Sequence, residues 1–281
     1  MGIGGFAHVV AMACALLLLQ PSASESRNQA YGVEFEKMTW KEVQAALAAG
    51  KTTALIYTGG VEERGPQNVN GGHNLMAHST ADAIARRLGN AIYLPVLPFS
   101  PNEADPIFPG TIGITDELLA TLLVRLSEQS IVNGFKTVIL MGDHGGGQPN
   151  IYEKVAKQLD DKYGSQGVHV HYCDQVYKAN AEFDHYLAEQ GYPSSLHGGI
   201  PDTSEMLYLD HDNSWVRKRL VREAIGSPVV NGKPDIGPNG PKNGILGDAR
   251  ASTQALGRRL FEIKVNHAVK QIREFEAMHS R

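Results

Sequence analysis

The sequence predicts an α/β fold with three α/β/α layers, in which a mostly parallel central sheet lies between helices. Three observations lead there. Short apolar runs alternate along the chain with longer segments whose apolar residues recur at helical spacing. The runs stay apolar throughout instead of alternating with polar residues, as strands buried on both faces do. The chain has 281 residues, 42% of them hydrophobic and 20% charged, enough to bury a substantial core in one domain.

The first segment stands apart. Val9 to Leu19 is apolar and is followed by Gln20, Pro21 and the small residues Ser22, Ala23 and Ser24. The run is shorter than the roughly 20 residues that span a bilayer. Residues 1–24 therefore read as a signal peptide, although no Lys or Arg precedes the apolar run. The expectation is an exported protein, periplasmic or secreted, with no stable membrane association once the segment is removed. Of the two cysteines, Cys14 would leave with it, so Cys173 has no intrachain partner. Residues 25–38 read as a loose polar segment, and residues 39–281 as one domain.

Thr39 and Glu42 fit a capping box that opens a helix, and Gly50 closes it. Thr53–Thr58 (TALIYT) reads as a strand, residues 74–88 as a helix and 91–97 as a strand ending in prolines. A long Pro/Gly loop over 98–114 follows, a length at which loops tend to be functional. The pattern repeats with a helix over 116–133, a strand over 136–141, a Gly-rich turn and a helix over 151–163. Next come a strand over 168–173, a helix over 179–190, a short helix over 204–209 and a closing helix over 252–275. Residues 228–248, rich in Gly, Pro and Asn, read as an active-site or interface loop.

In such sheets sites form beyond the carboxyl ends of the strands. Glu62 follows the first strand and His144 the third, so their loops are expected to meet. Glu62 and His73 open and close one Gly-rich loop, where glycine lets a backbone fold tightly enough to aim both side chains at one ion. Taken alone, a Glu and a His in a loop are also commonly solvated. The turn Gly142-Asp143-His144-Gly145-Gly146 places a histidine at the end of a buried strand. A glycine turn at a helix start can also cradle phosphate. This one lacks both the Lys-Ser/Thr ending of a P-loop and G-x-G-x-x-G spacing. In Leu196-His197-Gly198-Gly199-Ile200-Pro201-Asp202-Thr203-Ser204, Asp202, Thr203 or Ser204 also fits as a helix cap. A net charge of -4 leaves no basic field for nucleic acid.

Taken together, these stretches resemble the creatininase family of amidohydrolases. The matching segments are Glu62-Glu63-Arg64-Gly65-Pro66, Phe108-Pro109-Gly110-Thr111, the turn around His144, His197-Gly198-Gly199 with Asp202-Thr203-Ser204, and Gly244-Ile245-Leu246-Gly247-Asp248. Order and spacing agree from about Trp40 to Gly257. The resemblance implies metal-dependent hydrolysis of a C–N bond in a small amide, cyclic or carboxylated, by metal-activated water. It also implies a homo-oligomer, a hexamer in many relatives.

Two departures stand out. Family members commonly hold two divalent metals, using a loop His that corresponds here to Arg64 and a bridging Asp that corresponds to His73. Arginine has no lone pair to give, and a neutral imidazole offers one where a carboxylate can bridge two cations. The expected site is therefore one metal, zinc with manganese or iron as alternatives, held by Glu62, His73 and His144. His197 is the expected acid–base residue. Asp202 is expected as a further ligand or as a partner orienting a ligating histidine. Arg64 is expected to bind a substrate carboxylate or the oxyanion, or else to pair with Glu63 or Asp143. Asp174, ending a strand, is a second substrate-contacting candidate. The alternative function is a non-catalytic small-ligand-binding protein on the same fold.

Overall fold

Thr39 opens the first helix as the sequence predicts. In this computed structural model, which describes Met1 and residues 32–145, 148–237 and 240–279, its side chain accepts the Glu42 N–H and Glu42 returns the bond, completing the capping box. The elements follow as α1 (Trp40–Ala48), β1 (Thr53–Thr58), α2 (Gly72–Leu88), β2 (Ala91–Tyr93), α3 (Asp116–Asn133) and β3 (Thr137–Gly142). After them come α4 (Gln148–Tyr163), β4 (His169–Tyr172), α5 (Gln175–Glu189), α6 (Ile200–Leu209) and α7 (Lys218–Val221). A two-stranded hairpin, β5 (Val229–Val230) and β6 (Lys233–Pro234), precedes the long α8 (Gln254–His279). The described residues from 32 onward form one compact unit. The signal-peptide reading, residues 1–24, lies outside the described residues apart from Met1. No helix among the described residues is long and apolar enough to cross a membrane.

The main sheet has the order β2-β1-β3-β4 with every neighbouring pair parallel. The chain adds β2 on one side of β1, then returns to lay β3 on the other. The loops leaving β1 and β3 therefore diverge, opening a crevice at their carboxyl ends. Side chains alternate across the sheet. Leu55, Tyr57, Ile139 and Met141 share an apolar cluster with Met76 and Ile84 of α2 and Val265, Ala268 and Ile272 of α8. Ala54, Ile56, Val138 and Leu140 point the other way and are also wholly buried. On that side α3 packs on β1 and β3, and α4 on β3 and β4. Burial on both faces is why these strands read as unbroken apolar runs.

Several boundaries differ from expectation, three of them with a clear physical cause. β2 ends at Tyr93 instead of Leu97 because Pro95 and Pro98 have no N–H for a ladder. Leu94 and Leu97 still donate to the Leu55 and Tyr57 carbonyls at 2.9 and 3.0 Å. α6 begins at Ile200 with Pro201 in its first turn, so Asp202, Thr203 and Ser204 lie inside the helix and do not cap it. Val33 and Glu34, read as part of a loose segment, lie against β2: Val33 is buried and its carbonyl accepts the Tyr93 N–H at 2.8 Å.

Candidate metal centre

The turn after β1 is pinned before it reaches its functional residue. Asn74 Oδ1 accepts the Gly60 N–H at 2.8 Å, and the Glu62 N–H donates to the Asn70 carbonyl at 3.0 Å. The Glu62 carboxylate then enters the crevice. His73, expected in a loop, sits in the first turn of α2, with Nε2 2.7 Å from Glu62 Oε1. His144 follows β3, with Nε2 2.8 Å from Glu62 Oε2. Tyr177 of α5 braces that turn, its hydroxyl 2.9 Å from the His144 carbonyl and 2.8 Å from Gln148 Oε1, sharing its one proton between them. Each of the three side chains belongs to a residue 6% exposed. Their donor atoms lie within 4.8 Å of one another. Two adjacent strands thus supply the carboxylate and one imidazole, and the helix after the first strand supplies the other.

These residues form the floor of a cavity of about 420 Å³, lined also by Asn102, Asp143, His197, Asp202 and Lys264. That volume suits a small molecule. His197 stands at the side, its Nδ1 3.5 Å from Glu62 Oε1 and its Nε2 donating to the Glu63 carbonyl at 2.7 Å. Its backbone is laced to the 228–248 stretch: the Leu196 N–H donates to the Leu246 carbonyl and the Leu246 N–H to the His197 carbonyl, at 2.8 and 2.9 Å. That stretch therefore holds a cavity wall in place.

Burial alone would raise the Glu62 pKa. Hydrogen bonds from His144 and His73, with the charges of His73 and His197, outweigh it and hold the carboxyl well below the usual range. For His73, burial and Arg64 favour the neutral ring, but Asp143 and Glu62 win and raise its pKa. His197 is likewise raised: burial opposes the charge, while Glu63, Glu62 and Asp202 favour it. As arranged, both Nε2 atoms face oxygens of one carboxylate, and a divalent cation between them would be met by all three donors. Two imidazoles and one carboxylate are a ligand set for catalytic zinc, and this trio fits it.

Three expected site residues are placed differently. Arg64 is wholly buried and lies outside the cavity lining, so it cannot meet a substrate carboxylate or an oxyanion. Its Nη2 is 2.6 Å from Asp202 Oδ1 and its Nε is 4.0 Å from Glu62 Oε1. Gly72 makes room for it, since a Cβ there would stand 2.8 Å from both Arg64 Nη1 and Met206 Sδ. Asp202 is correspondingly committed: Oδ1 pairs with Arg64 and Oδ2 accepts the Gly198 N–H at 2.8 Å. It orients Arg64 and the turn after His197 instead of ligating or holding a ligating imidazole. Asp174 is also misplaced as a substrate contact. It borders a different hollow, pairs with Lys178 at 2.6 Å and accepts from Gln271 at 2.9 Å. The strand it follows, β4, is at the sheet edge, away from the crevice between β1 and β3.

Sequence reading missed Asn102, Glu205 and Lys264, and saw in Asp143 only a partner for Arg64. Asn102 donates from Nδ2 to Glu62 Oε2 at 3.0 Å, and its Oδ1 accepts the Glu103 N–H at 2.9 Å, which fixes which end of the amide faces the site. Nothing in the 98–114 loop marks it. Lys264 had a signal: it occupies a buried position on the α8 stripe among Leu260, Phe261, Val265 and Ala268. Its ammonium is held protonated: burial would lower its pKa, but Asp143 and Glu205 raise it. Burial pushes the Glu205 carboxyl up to about 7, with Lys264 working against the shift.

A family model described as creatininase, creatinine amidohydrolase, matches residues 36–272. A creatinine amidohydrolase of Pseudomonas putida is 24% identical over 254 residues, covering 85% of this chain and 95% of its own. A solved creatininase in a manganese form has a TM-score of 0.70 at 22% identity, covering 86% of this chain and 98% of its own. A creatininase mutant in a Zn-Zn form has a TM-score of 0.69 at 22% identity and the same coverage.

Proposed function

The chain belongs to the creatininase family, a family of amidohydrolases, and from that premise we propose that it hydrolyses the C–N bond of a small amide with one divalent cation held by Glu62, His73 and His144. The observation that carries the reading is the convergence of those three buried donors, within 4.8 Å of one another, on the floor of a cavity. A bound divalent cation supplies a Lewis acid that polarises an amide carbonyl and acidifies water. Zinc suits two imidazoles and a carboxylate best, with manganese and iron as alternatives.

The residues around the trio have separable tasks. Glu62 stays ionised across the working pH range. His197, whose Nε2 is tied to the Glu63 carbonyl, carries on Nδ1 the proton that a departing nitrogen requires. Asn102 offers an N–H from Nδ2 to an oxygen in the cavity. Arg64, paired to Asp202, places a fixed positive charge 4.0 Å from Glu62 Oε1. That buried guanidinium, and a single-lone-pair imidazole at His73, favour one ion over two. The cavity-lining Lys264 is committed to Asp143 and Glu205. With Arg64 beneath the floor, an uncharged amide fits better than a carboxylated one. Export with removal of residues 1–24, and homo-oligomeric assembly, belong to the same reading on sequence and family grounds. N-terminal sequencing and light scattering of the secreted protein test them.

Elemental analysis of the purified protein is the direct test. We expect about one zinc, manganese or iron per chain, loss of amide hydrolysis with a chelator, and loss of both metal and turnover in His144→Ala. A folded protein that takes up no stoichiometric metal would instead indicate a non-catalytic binding protein on this fold.

A further inference from the structure

Behind the candidate ligands lies a second charged cluster. Lys264 Nζ, from α8, stands 2.8 Å from Asp143 Oδ1 and 2.6 Å from Glu205 Oε2, and none of the three side chains is more than 3% exposed. Burying an ammonium with two carboxyl groups is expensive, and well-packed apolar side chains of similar volume commonly serve stability as well or better. The neighbouring α8 positions Leu260, Phe261, Val265 and Ala268 are apolar and buried, so an apolar residue would suit position 264. The cluster also runs directly into the site. Asp143 Oδ2 faces His73 Nδ1 at 3.8 Å, and neither atom has another hydrogen-bond partner. Asp143 is the residue next to His144, so one turn presents a candidate ligand and the group facing the other imidazole.

We propose that Asp143, anchored by Lys264, is the positioning carboxylate of His73. It keeps the imidazole turned so that Nδ1 carries its proton and Nε2 aims at the point where Glu62 and His144 converge. This deepens the reading above, because it takes His73 as a ligand. Lys264 occupies one oxygen of Asp143 and leaves the other for His73. Glu205 in turn fixes Lys264, 59 residues away in the chain. Neither Lys264 nor Asp143 need touch the ion. Their effect passes through His73, in the manner of the carboxylate–histidine–metal arrangements that orient a ligand and raise its basicity.

Zinc alone is the probe, and no substrate is required. Equilibrium competition against a chromophoric chelator gives the zinc affinity of the wild type and of Asp143→Asn, Lys264→Met and Lys264→Arg. Asp143→Asn and Lys264→Met should lower affinity by about 10–100-fold, with thermal melting confirming that they fold. Lys264→Arg, which restores the cation, should lie within a few-fold of wild type. Cobalt substituted for zinc should show an altered visible absorption spectrum in Asp143→Asn and a wild-type spectrum in Lys264→Arg. Should Lys264→Met fail to fold, the isosteric Asp143→Asn decides alone. Wild-type zinc affinity in a folded Asp143→Asn overturns the proposal while leaving the hydrolase reading intact. A wild-type protein that binds no zinc, manganese or iron overturns both.

Discussion

The two ends of the same four-stranded sheet handle charge differently. At the amino ends, Glu276 of α8 accepts from Thr53 Oγ1 and from Asn90 Nδ2 at 3.0 Å, and Lys51 Nζ donates to the Gly89 carbonyl at 2.9 Å. These bonds mostly join a charged group to a neutral one, and they tie α8 and the turn after α2 to β1. At the carboxyl ends, Glu62 meets three imidazoles, an amide and a guanidinium, while Asp143 and Glu205 meet an ammonium from the same helix α8. Neutral donors suffice to hold a helix on a sheet. Like and unlike charges packed in a buried crevice are justified by something they bind, because burial penalises each of them. One helix thus serves as a fastening at one end and as part of the candidate site at the other.

The largest test of this contrast removes the shared carboxylate. Glu62→Ala should abolish zinc binding, measured by elemental analysis after dialysis, while the far end of the sheet and the fold persist. Next is Arg64→Met, which leaves Asp202 and Glu62 without their buried cation. Chemical denaturation should show a loss of about 3 kcal/mol, the lower end for a buried pair because Asp202 still reaches the cavity. Arg64→Met combined with Asp202→Asn should recover part of it. If the single variant is as stable as wild type, Arg64 is not the counter-ion of this end.

Acid should weaken metal binding at one end only. The folded protein raises the His73 pKa, so its protonated form is favoured, and that contribution to stability is present below the ordinary histidine value of 6.5 and lost as pH rises through the raised one. A cation needs the neutral ring, so proton and metal compete. Zinc affinity should fall steadily as pH drops from 8 to 5.5, seen by competition titration, and a pH-independent affinity would remove His73 from the ligand set. The smallest effect belongs to the fastening. Glu276→Gln should cost about 1 kcal/mol in stability and leave zinc affinity unchanged. A large change in affinity would erase the distinction between the two ends.

Glu62 and His144 were legible in the sequence because each follows an unbroken apolar strand at a glycine turn, and parallel strands deliver such turns to one edge. His73 was legible as a site residue but not as part of a helix, since Gly71-Gly72 reads as loop. Arg64 was misjudged because its chemistry shows in the sequence but its depth does not. A loop arginine can face solvent, substrate or core, and Gly72 and Met206 decide that it faces the core. Lys264 announced itself only as a lysine on an apolar stripe. Its partners are 121 and 59 residues away, and no local pattern names them.

Residue order by itself determined the layering, the order and approximate extent of the strands and helices, and which carboxylate and imidazoles were candidates to meet, because side-chain periodicity and turn chemistry act over a few neighbouring residues. Tertiary structure alone decided which polar groups pair: Arg64 with Asp202, Asp143 with Lys264, Asn102 with Glu62. Those partners come from different elements, and electrostatic pairing depends on distance and burial, which exist only once the elements have packed.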